Sequence, residues 1–305
     1  MEKDNNNTQM LPEEELAYEL KKTRYSNEYF YGENIKCFKK NLKKFHLIRA
    51  TKSLFNALKS HNDIVNMYKR MNEGEINNSI DFSTKKIVIY TCVTGKYDNI
   101  KEPFIKAKNI DYIMFTDNTN ITSKSWIIKK IPDKYLKELK GNFVNRYIKL
   151  HPSEFFSDYD YAIYIDGNVK VISNPIKMLN CLNLNFGVAL HKHCLRTCVY
   201  DEANVCIKAK KGNKKGIKEQ ISKYKKDGFP GNYGLLEATV IISEINNPNA
   251  STIFNDWWQE YINTGSFRDQ LSLPYTLWKK NIQIDAIGTL GNCVYTNKHF
   301  YILSH

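Results

Sequence analysis

The chain has 305 residues, 42% of them hydrophobic, enough to bury a substantial core, and it carries a formal net charge of +13. No run approaches the roughly 18 consecutive apolar residues that cross a bilayer. The opening Met1-Glu-Lys-Asp-Asn-Asn-Asn7 lacks the basic-then-apolar order of a secretory signal, so a globular protein of the cytoplasm is expected. The charge implies an anionic partner: nucleic acid, an acidic membrane face or a phosphorylated substrate. No helix-turn-helix, zinc-finger or RNA-binding signature accompanies it, and no nucleic-acid partner is expected. Seven cysteines, at 37, 92, 181, 194, 198, 206 and 293, show no Cys-x-x-Cys spacing. Neither a disulfide framework nor a zinc site is therefore expected, and the His191, His193, Cys194, Cys198 spacing is unusual for zinc.

The first ten residues are polar and Asn-rich, as in disordered segments. Pro12-Glu-Glu-Glu15 then opens a helix, with proline in the first turn and acids near the positive end of the dipole. From Ile35 to Met71, Phe38, Leu42, Phe45, Ile48, Phe55 and Leu58 recur at mostly helical intervals among lysines. These basic amphipathic helices pack on a neighbouring domain or lie on an anionic membrane surface. Met71 to Ser83 reads as a linker, which divides the chain into an N-terminal basic helical region over 1–83 and a second domain over 84–305.

After Thr84 the pattern turns to strands alternating with helices. Lys86 to Val93 is a compact apolar strand leading into Thr94-Gly95-Lys96-Tyr97-Asp98, Asp111 to Phe115 a second ending at Thr116-Asp117, and Ser125 to Ile131 a third. Lys134 to His151 reads as one helix with Phe143, Tyr147 and Leu150 on one side. A buried strand through Tyr161, Ile163, Tyr164 and Ile165 then delivers Asp166-Gly-Asn168 to its end. Carboxylate and amide oxygens there suit a hard divalent cation such as Mn²⁺ or Mg²⁺; the same tripeptide is also strong hairpin chemistry. Strands alternating with helices indicate an α/β sheet with ligands at the carboxyl ends of its strands. The lysine-rich run from Lys208 to Lys226 reads as a solvated, mobile insertion, suited to an acidic glycan or a lipid diphosphate.

The ordered series Tyr90-Thr-Cys-Val-Thr-Gly-Lys-Tyr-Asp98, Asp111-Tyr-Ile-Met-Phe-Thr-Asp117, Arg146-Tyr-Ile-Lys149, Ile165-Asp-Gly-Asn168, His193-Cys-Leu-Arg196, Cys198-Val-Tyr-Asp-Glu-Ala203 and Arg268-Asp-Gln-Leu-Ser272 resembles the MUCI/TOD-like glycosyltransferases, over roughly Lys85 to Gly288. The resemblance implies an α/β glycosyltransferase-A fold, Rossmann-like with a mostly parallel sheet, a nucleoside-diphosphate sugar donor, and a glycan or lipid-linked acceptor in surface polysaccharide biosynthesis. It also implies a metal-binding Asp-x-Asp motif, here Asp166 and Asn168. The asparagine keeps an oxygen ligand but drops a negative charge.

On that reading Thr94, Gly95, Tyr97 and Asp117 lie where the nucleoside would sit, with Tyr97 stacking on the base and Asp117 accepting hydrogen bonds. Arg146, Lys149 and Arg196 are candidates for the diphosphate, each with an ordinary solvated or ion-pair role as the alternative. His193 is a further contact for diphosphate or donor sugar, and His299 a weaker candidate for the metal shell. Asp269 is the candidate base for the acceptor hydroxyl or a helix cap, with Glu202 and Glu237 as second acids. Trp257, Trp258 and Tyr261 form either a sugar-facing wall or core packing. The rival functions are a basic nucleic-acid-binding protein without catalysis and a metal-dependent hydrolase or nucleotidyltransferase built on Asp166.

Overall fold

A computed structural model describes residues 73–95, 100–118, 120–139 and 141–303. The basic N-terminal helices expected before residue 72, and Tyr97, lie outside the described residues. One compact unit runs from Gly74 to the C-terminus, ten residues before the expected boundary at Thr84. Segment 74–80 belongs to it because its polar groups are satisfied there: the Asn77 and Asn78 N–H groups both donate to the Asn180 carbonyl, and Gly74 sits so close to Thr289 and Cys181 that a Cβ would not fit.

Strands β1 (Ile87–Val93), β2 (Ile110–Thr116), β3 (Ile127–Lys130) and β4 (Tyr161–Ile165) are followed by β5 (Val169–Val171), β6 (Val188–Lys192), β7 (Leu236–Glu244), β8 (Gly288–Thr289) and β9 (Phe300–Ile302). Seven of them form one sheet in the order β3-β2-β1-β4-β7-β6-β8, while β5 and β9 pair separately. The pairs β1–β2, β1–β4, β2–β3 and β6–β8 are parallel. β7 alone runs against its neighbours β4 and β6. The mostly parallel α/β sheet expected from the sequence is therefore present. Alternate side chains of a strand enter opposite faces: Val88, Tyr90 and Cys92 join one core, and Ile87, Ile89 and Val93 the other.

The helices are α1 (Asp133–Glu138), α2 (Asn142–Leu150), α3 (Pro152–Phe155), α4 (Val199–Lys208), α5 (Lys214–Lys226), α6 (Pro248–Thr264) and α7 (Asp269–Lys279). The single helix expected over 134–151 is broken, because Gly141 takes a left-handed φ of 57° and starts α2 afresh. The lysine-rich segment is a helix rather than a mobile insertion: Ile217, Gln220 and Tyr224 bury one face of α5, and Tyr224 stacks on Tyr275 of α7 with centroids 3.9 Å apart. Trp257, Trp258 and Tyr261 are buried on α6 and pack in the core, so helical spacing meant burial, not a sugar wall.

The absence of Cys-x-x-Cys spacing was a poor guide to disulfides. Cys194 and Cys293, 99 residues apart, are bonded. The sheet explains the pair: Leu190 of β6 lies beside Thr289 of β8, and each cysteine follows four residues later. No helix among the described residues is long and apolar enough to cross a membrane.

Candidate active site

The parallel strands β1, β2, β4, β6 and β8 all end on one edge of the sheet. Because β7 is reversed, its beginning reaches the same edge: Glu237 lies beside His191 of β6, and the Asp166 N–H donates to the Thr239 carbonyl. Strand direction thus gathers the candidates that sequence spacing scatters.

The first two loops meet directly. The Gly95 N–H donates to both carboxylate oxygens of Asp117, at 3.1 and 2.9 Å, across parallel strands whose ends Val93 and Thr116 are in register. Gly95 has φ 65°, where a side chain would strain the backbone. Thr94, half-buried, leads into this turn.

Helix α2 supplies the cations. Val144 and Ile148, four apart, bury its core face, which leaves Asn145, Arg146 and Lys149 on an adjoining face near the strand ends. The Asn145 amide donates to the Cys92 carbonyl at the end of β1, and the Tyr90 hydroxyl donates to the Lys149 carbonyl at 2.8 Å. Lys149 is buried, with Nζ 2.7 Å from Asp269 Oδ2 and 3.6 Å from Asp166 Oδ1. It is not a solvated helix charge. Arg146 Nε lies 3.3 Å from the same Asp269 oxygen.

Asp269 opens α7 just after Phe267, a non-glycine residue at φ 59° that packs against Phe143. Such a conformation costs roughly 1–3 kcal/mol and persists only where surroundings impose it. Trp257 fixes the next turn by donating from Nε1 to the Asp269 carbonyl at 2.7 Å. Burial opposes charge on Asp269, yet Arg146, Lys149 and Arg268 outweigh it and hold the carboxyl well below the usual range. Burial likewise opposes charge on Arg146, and Asp269 and Asp166 overcome it.

A second group adjoins the first through Arg268 and Gln270, which flank Asp269. His193 Nδ1 accepts the N–H groups of Leu195 and Arg196, so its proton is assigned to Nε2. That nitrogen lies 3.5 Å from Glu202 and 3.4 Å from Glu237. Arg196 Nε pairs with Glu202 at 2.6 Å. Gln270 Nε2 donates to Glu237 at 3.3 Å and to the Leu236 carbonyl at 3.2 Å. The two carboxyls are driven apart. Burial raises the pKa of Glu202, but the His193 hydrogen bond and the charges of Arg196 and Arg268 override it and bring it down to about 2. Burial raises Glu237 and nearby Glu202 adds to it, against weaker opposition from His193 and the arginines.

A model of the TOD1/MUCI70 glycosyltransferase-like domain matches residues 59–300, well over half of the chain. The chain belongs to that family. The resemblance carried by the ordered motifs therefore holds, and the matched region reaches further toward the N-terminus than those motifs do. No curated protein matches the chain. Among solved structures it is 15% identical to the apo bifunctional glycosyltransferase WbbM, with TM-score 0.38, covering 65% of this chain and 38% of that one. It is 11% identical to the galactosyltransferase LgtC in complex with donor and acceptor sugar analogs (TM-score 0.37; 61% and 69% covered). It is 8% identical to apo mouse xyloside xylosyltransferase 1 (TM-score 0.37; 67% and 83% covered). The chain thus spans little more than a third of the WbbM structure.

The Asp-Gly-Asn of this TOD1/MUCI70 domain is a turn, closed by the Val169 N–H on the Asp166 carbonyl at 3.0 Å. It is not a hairpin between paired strands, since β4 and β5 lie in different sheets. As a metal site its donors fit poorly. Asp166 Oδ1 already accepts the Tyr164 hydroxyl at 2.9 Å and faces the Lys149 ammonium. The buried Asn168 amide donates to the Leu303 carbonyl, tying down the C-terminal strand. His299 bonds Ser173 through Nδ1 at 2.7 Å. Among the described residues no three His, Cys, Asp or Glu side chains gather in a metal-holding group. Cys194 is in the disulfide and His191 is buried against Asn297, which removes the zinc alternative. An apolar cavity of about 330 Å³ lined by Tyr135, Phe143, Tyr147, Trp258 and others lies between α1, α2 and α6, on the face of α2 away from Lys149.

Asn145, Tyr164 and Gln270 join the site without having been singled out in the sequence. Asn145 was detectable in principle, four residues before Lys149 on one helix face. Gln270 carried no signal of its own.

Proposed function

We propose that the chain transfers a sugar from a nucleoside-diphosphate sugar to a glycan or lipid-linked acceptor, in surface polysaccharide biosynthesis. The observation that carries this reading is the convergence of the Gly95–Asp117 turn, Asp166, the Arg146–Lys149–Asp269 group and the Glu202–His193–Glu237 group on one sheet edge. The nucleoside lies over Thr94, Gly95 and Asp117. Arg146 meets the diphosphate, with Arg196 and His193 on the far side of the donor sugar.

In the transfer, the bond from the anomeric carbon to the diphosphate oxygen breaks and its electron pair leaves with the diphosphate. The acceptor oxygen bonds the anomeric carbon and gives up its proton. Asp269, whose proton affinity the neighbouring cations hold down, is a poor acceptor for that proton, and Glu237 is the better one: its affinity for protons is raised, and Gln270 and His193 fix its orientation. Asp269 becomes an anchor for cations. No step runs through a metal ion, because the donor set at Asp166 does not suit one.

A cytoplasmic location with contact to the inner membrane face belongs to this reading. The Cys194–Cys293 bond weighs against it, since cytosolic reductants disfavour disulfides. Incubation of the full chain with UDP- and GDP-sugars and a mixture of glycan and lipid-linked acceptors tests the proposal. Nucleoside diphosphate released only when acceptor is present supports transfer; release without acceptor identifies a hydrolase and overturns it.

A further inference from the structure

Lys149 crowds the one carboxylate of the Asp-Gly-Asn motif, on which a divalent ion would have to sit. Its ammonium is 3.6 Å from Asp166 Oδ1 and its side chain is 1% exposed. Three contacts fix it: the Asp269 carboxylate at 2.7 Å, the Tyr164 ring with its centroid 4.9 Å from Nζ, and the Tyr90 hydroxyl on its own carbonyl. A Mg²⁺ ion held by Asp166 would approach a carboxylate oxygen to about 2.0–2.1 Å with this fixed positive charge beside it. Poorly solvated like charges repel strongly at such separations. The second position of the motif, Asn168, brings no charge to offset that repulsion, and only its amide nitrogen, not the oxygen, is engaged with Leu303.

Arg146 completes the arrangement. Its side chain is 22% exposed, Nη1 donates to Asn145 at 2.6 Å, and Nε makes no hydrogen bond within the protein although it faces Asp269. Nε is therefore spent on the ion pair with Asp269, and it is the remaining Nη donors of this planar guanidinium that match phosphate oxygens, where a point charge would not orient them.

We infer that Arg146 and Lys149, anchored by Asp269, form a cation clamp that takes the place of a divalent metal, so that this domain binds nucleoside diphosphates without one. Lys149 neutralises Asp166, whose carboxylate would otherwise repel the diphosphate. Arg146 meets the charge that grows on the leaving oxygen as the glycosidic bond breaks. The clamp itself neither takes up nor releases a proton. Asp269 is a positioning residue that acts through the two cations. The inference rests on the nucleotide-sugar reading and narrows it.

Calorimetry of the full chain with UDP and GDP, in EDTA and then in Mn²⁺, tests it, together with the paramagnetic resonance signal of free Mn²⁺ mixed with protein alone. One of the nucleotides is expected to bind in EDTA, with Mn²⁺ changing its Kd by less than about threefold. The wild-type chain leaves the free Mn²⁺ signal unchanged. Lys149→Ala, which leaves Asp166 and Asp269 with Arg146 as their shared cation, weakens metal-free binding at least about tenfold and takes up Mn²⁺. Asp166→Asn keeps the Lys149–Asp269 pair and serves if the alanine variant does not fold; it tightens binding in EDTA by a few-fold, whereas a metal ligand lost there weakens binding. Wild-type binding that requires Mn²⁺ overturns the clamp and leaves the donor reading intact. Absence of binding by either nucleotide in both conditions overturns both.

Discussion

Lys149 and Asp269 are joined by an ion pair of 2.7 Å across 120 residues of sequence. The pair ties α2, which leads to the strand of Asp166, to the first turn of α7. A buried pair of this kind is a weak source of stability, but removing one member leaves the other buried charge under-compensated, at a cost of up to roughly 3–5 kcal/mol; Lys149 would keep Asp166 at 3.6 Å. Asp269→Asn is accordingly expected to lower the unfolding free energy by a few kcal/mol in a urea titration, and to weaken UDP or GDP binding in the same preparation below its midpoint. Asp269→Ala with donor binding unchanged would show that Arg146 and Lys149 do not depend on it.

Glu237 and Glu202 face one imidazole but their proton affinities are shifted in opposite directions. Glu237→Gln keeps the shape and the contact with Gln270 but cannot accept a proton. It is expected to cut the turnover rate by about 10²- to 10⁴-fold while the donor Kd stays within a few-fold. Stopped-flow or discontinuous turnover assays beside calorimetry separate the two quantities. Equal losses in both would make Glu237 a sugar-binding group instead.

Acid should destabilise the fold in two overlapping stages. Burial holds His191 down to about 3 against an ordinary 6.5. As pH falls from 6.5 toward 3 the unfolded chain takes up that proton first, and stability declines. Glu202 adds its part from 4.5 down to about 2, because a depressed carboxyl stabilises above its unfolded pKa and loses that contribution as it protonates in the fold. Denaturant midpoints measured between pH 7 and 3 are expected to fall, and His191→Gln should flatten the upper part of that decline. A variant with the wild-type slope would place the proton uptake elsewhere.

The Gly95–Asp117 contact separates binding from stability. Asp117→Ala frees the Gly95 N–H near the surface, so the melting temperature should change little. Nucleotide affinity should fall by about tenfold as the turn loses its shape. A thermal shift assay and the same calorimetry are sufficient to check it.

Reduction of Cys194–Cys293 should release the His193 loop from the segment after β8. A bond closing so long a loop typically contributes about 2–4 kcal/mol. Dithiothreitol, or Cys293→Ser, is therefore expected to lower the denaturant midpoint. Transfer should fall more than donor binding, since His193 orients Glu237 and Arg146 does not depend on that loop.

How much of this was legible depended on the range of the interaction involved. β1, β2 and β4 could be read within a residue or two because each is a short apolar run bounded by polar loops. The Asp166 turn, Asp117, Arg146 and Asp269 stood out as polar groups at strand ends or in ordered motifs. Burial of Lys149 could not be read, since a lysine on a helix is ordinarily solvated, and only the arrival of Asp166 and Asp269 beside it reverses that. The disulfide was hidden for the same reason: Cys194 and Cys293 meet through the β6–β8 register, which no local spacing encodes. The break at Gly141 shows in the sequence only as a glycine inside a helical pattern, which a helix often tolerates. The lysines of α5 masked the buried stripe of Ile217, Gln220 and Tyr224.

The single reversed strand has an engineering consequence. At every other strand of this edge the polypeptide is departing when it meets the reaction centre, but at β7 it is arriving. Of the incoming residues just upstream of Glu237, Phe229 and Leu235 are buried and Gly234 has no room for a side chain, so on the proposed reading the exposed Pro230 and Asn232 are the positions to exchange to reshape the acceptor side while the outgoing loops are left untouched.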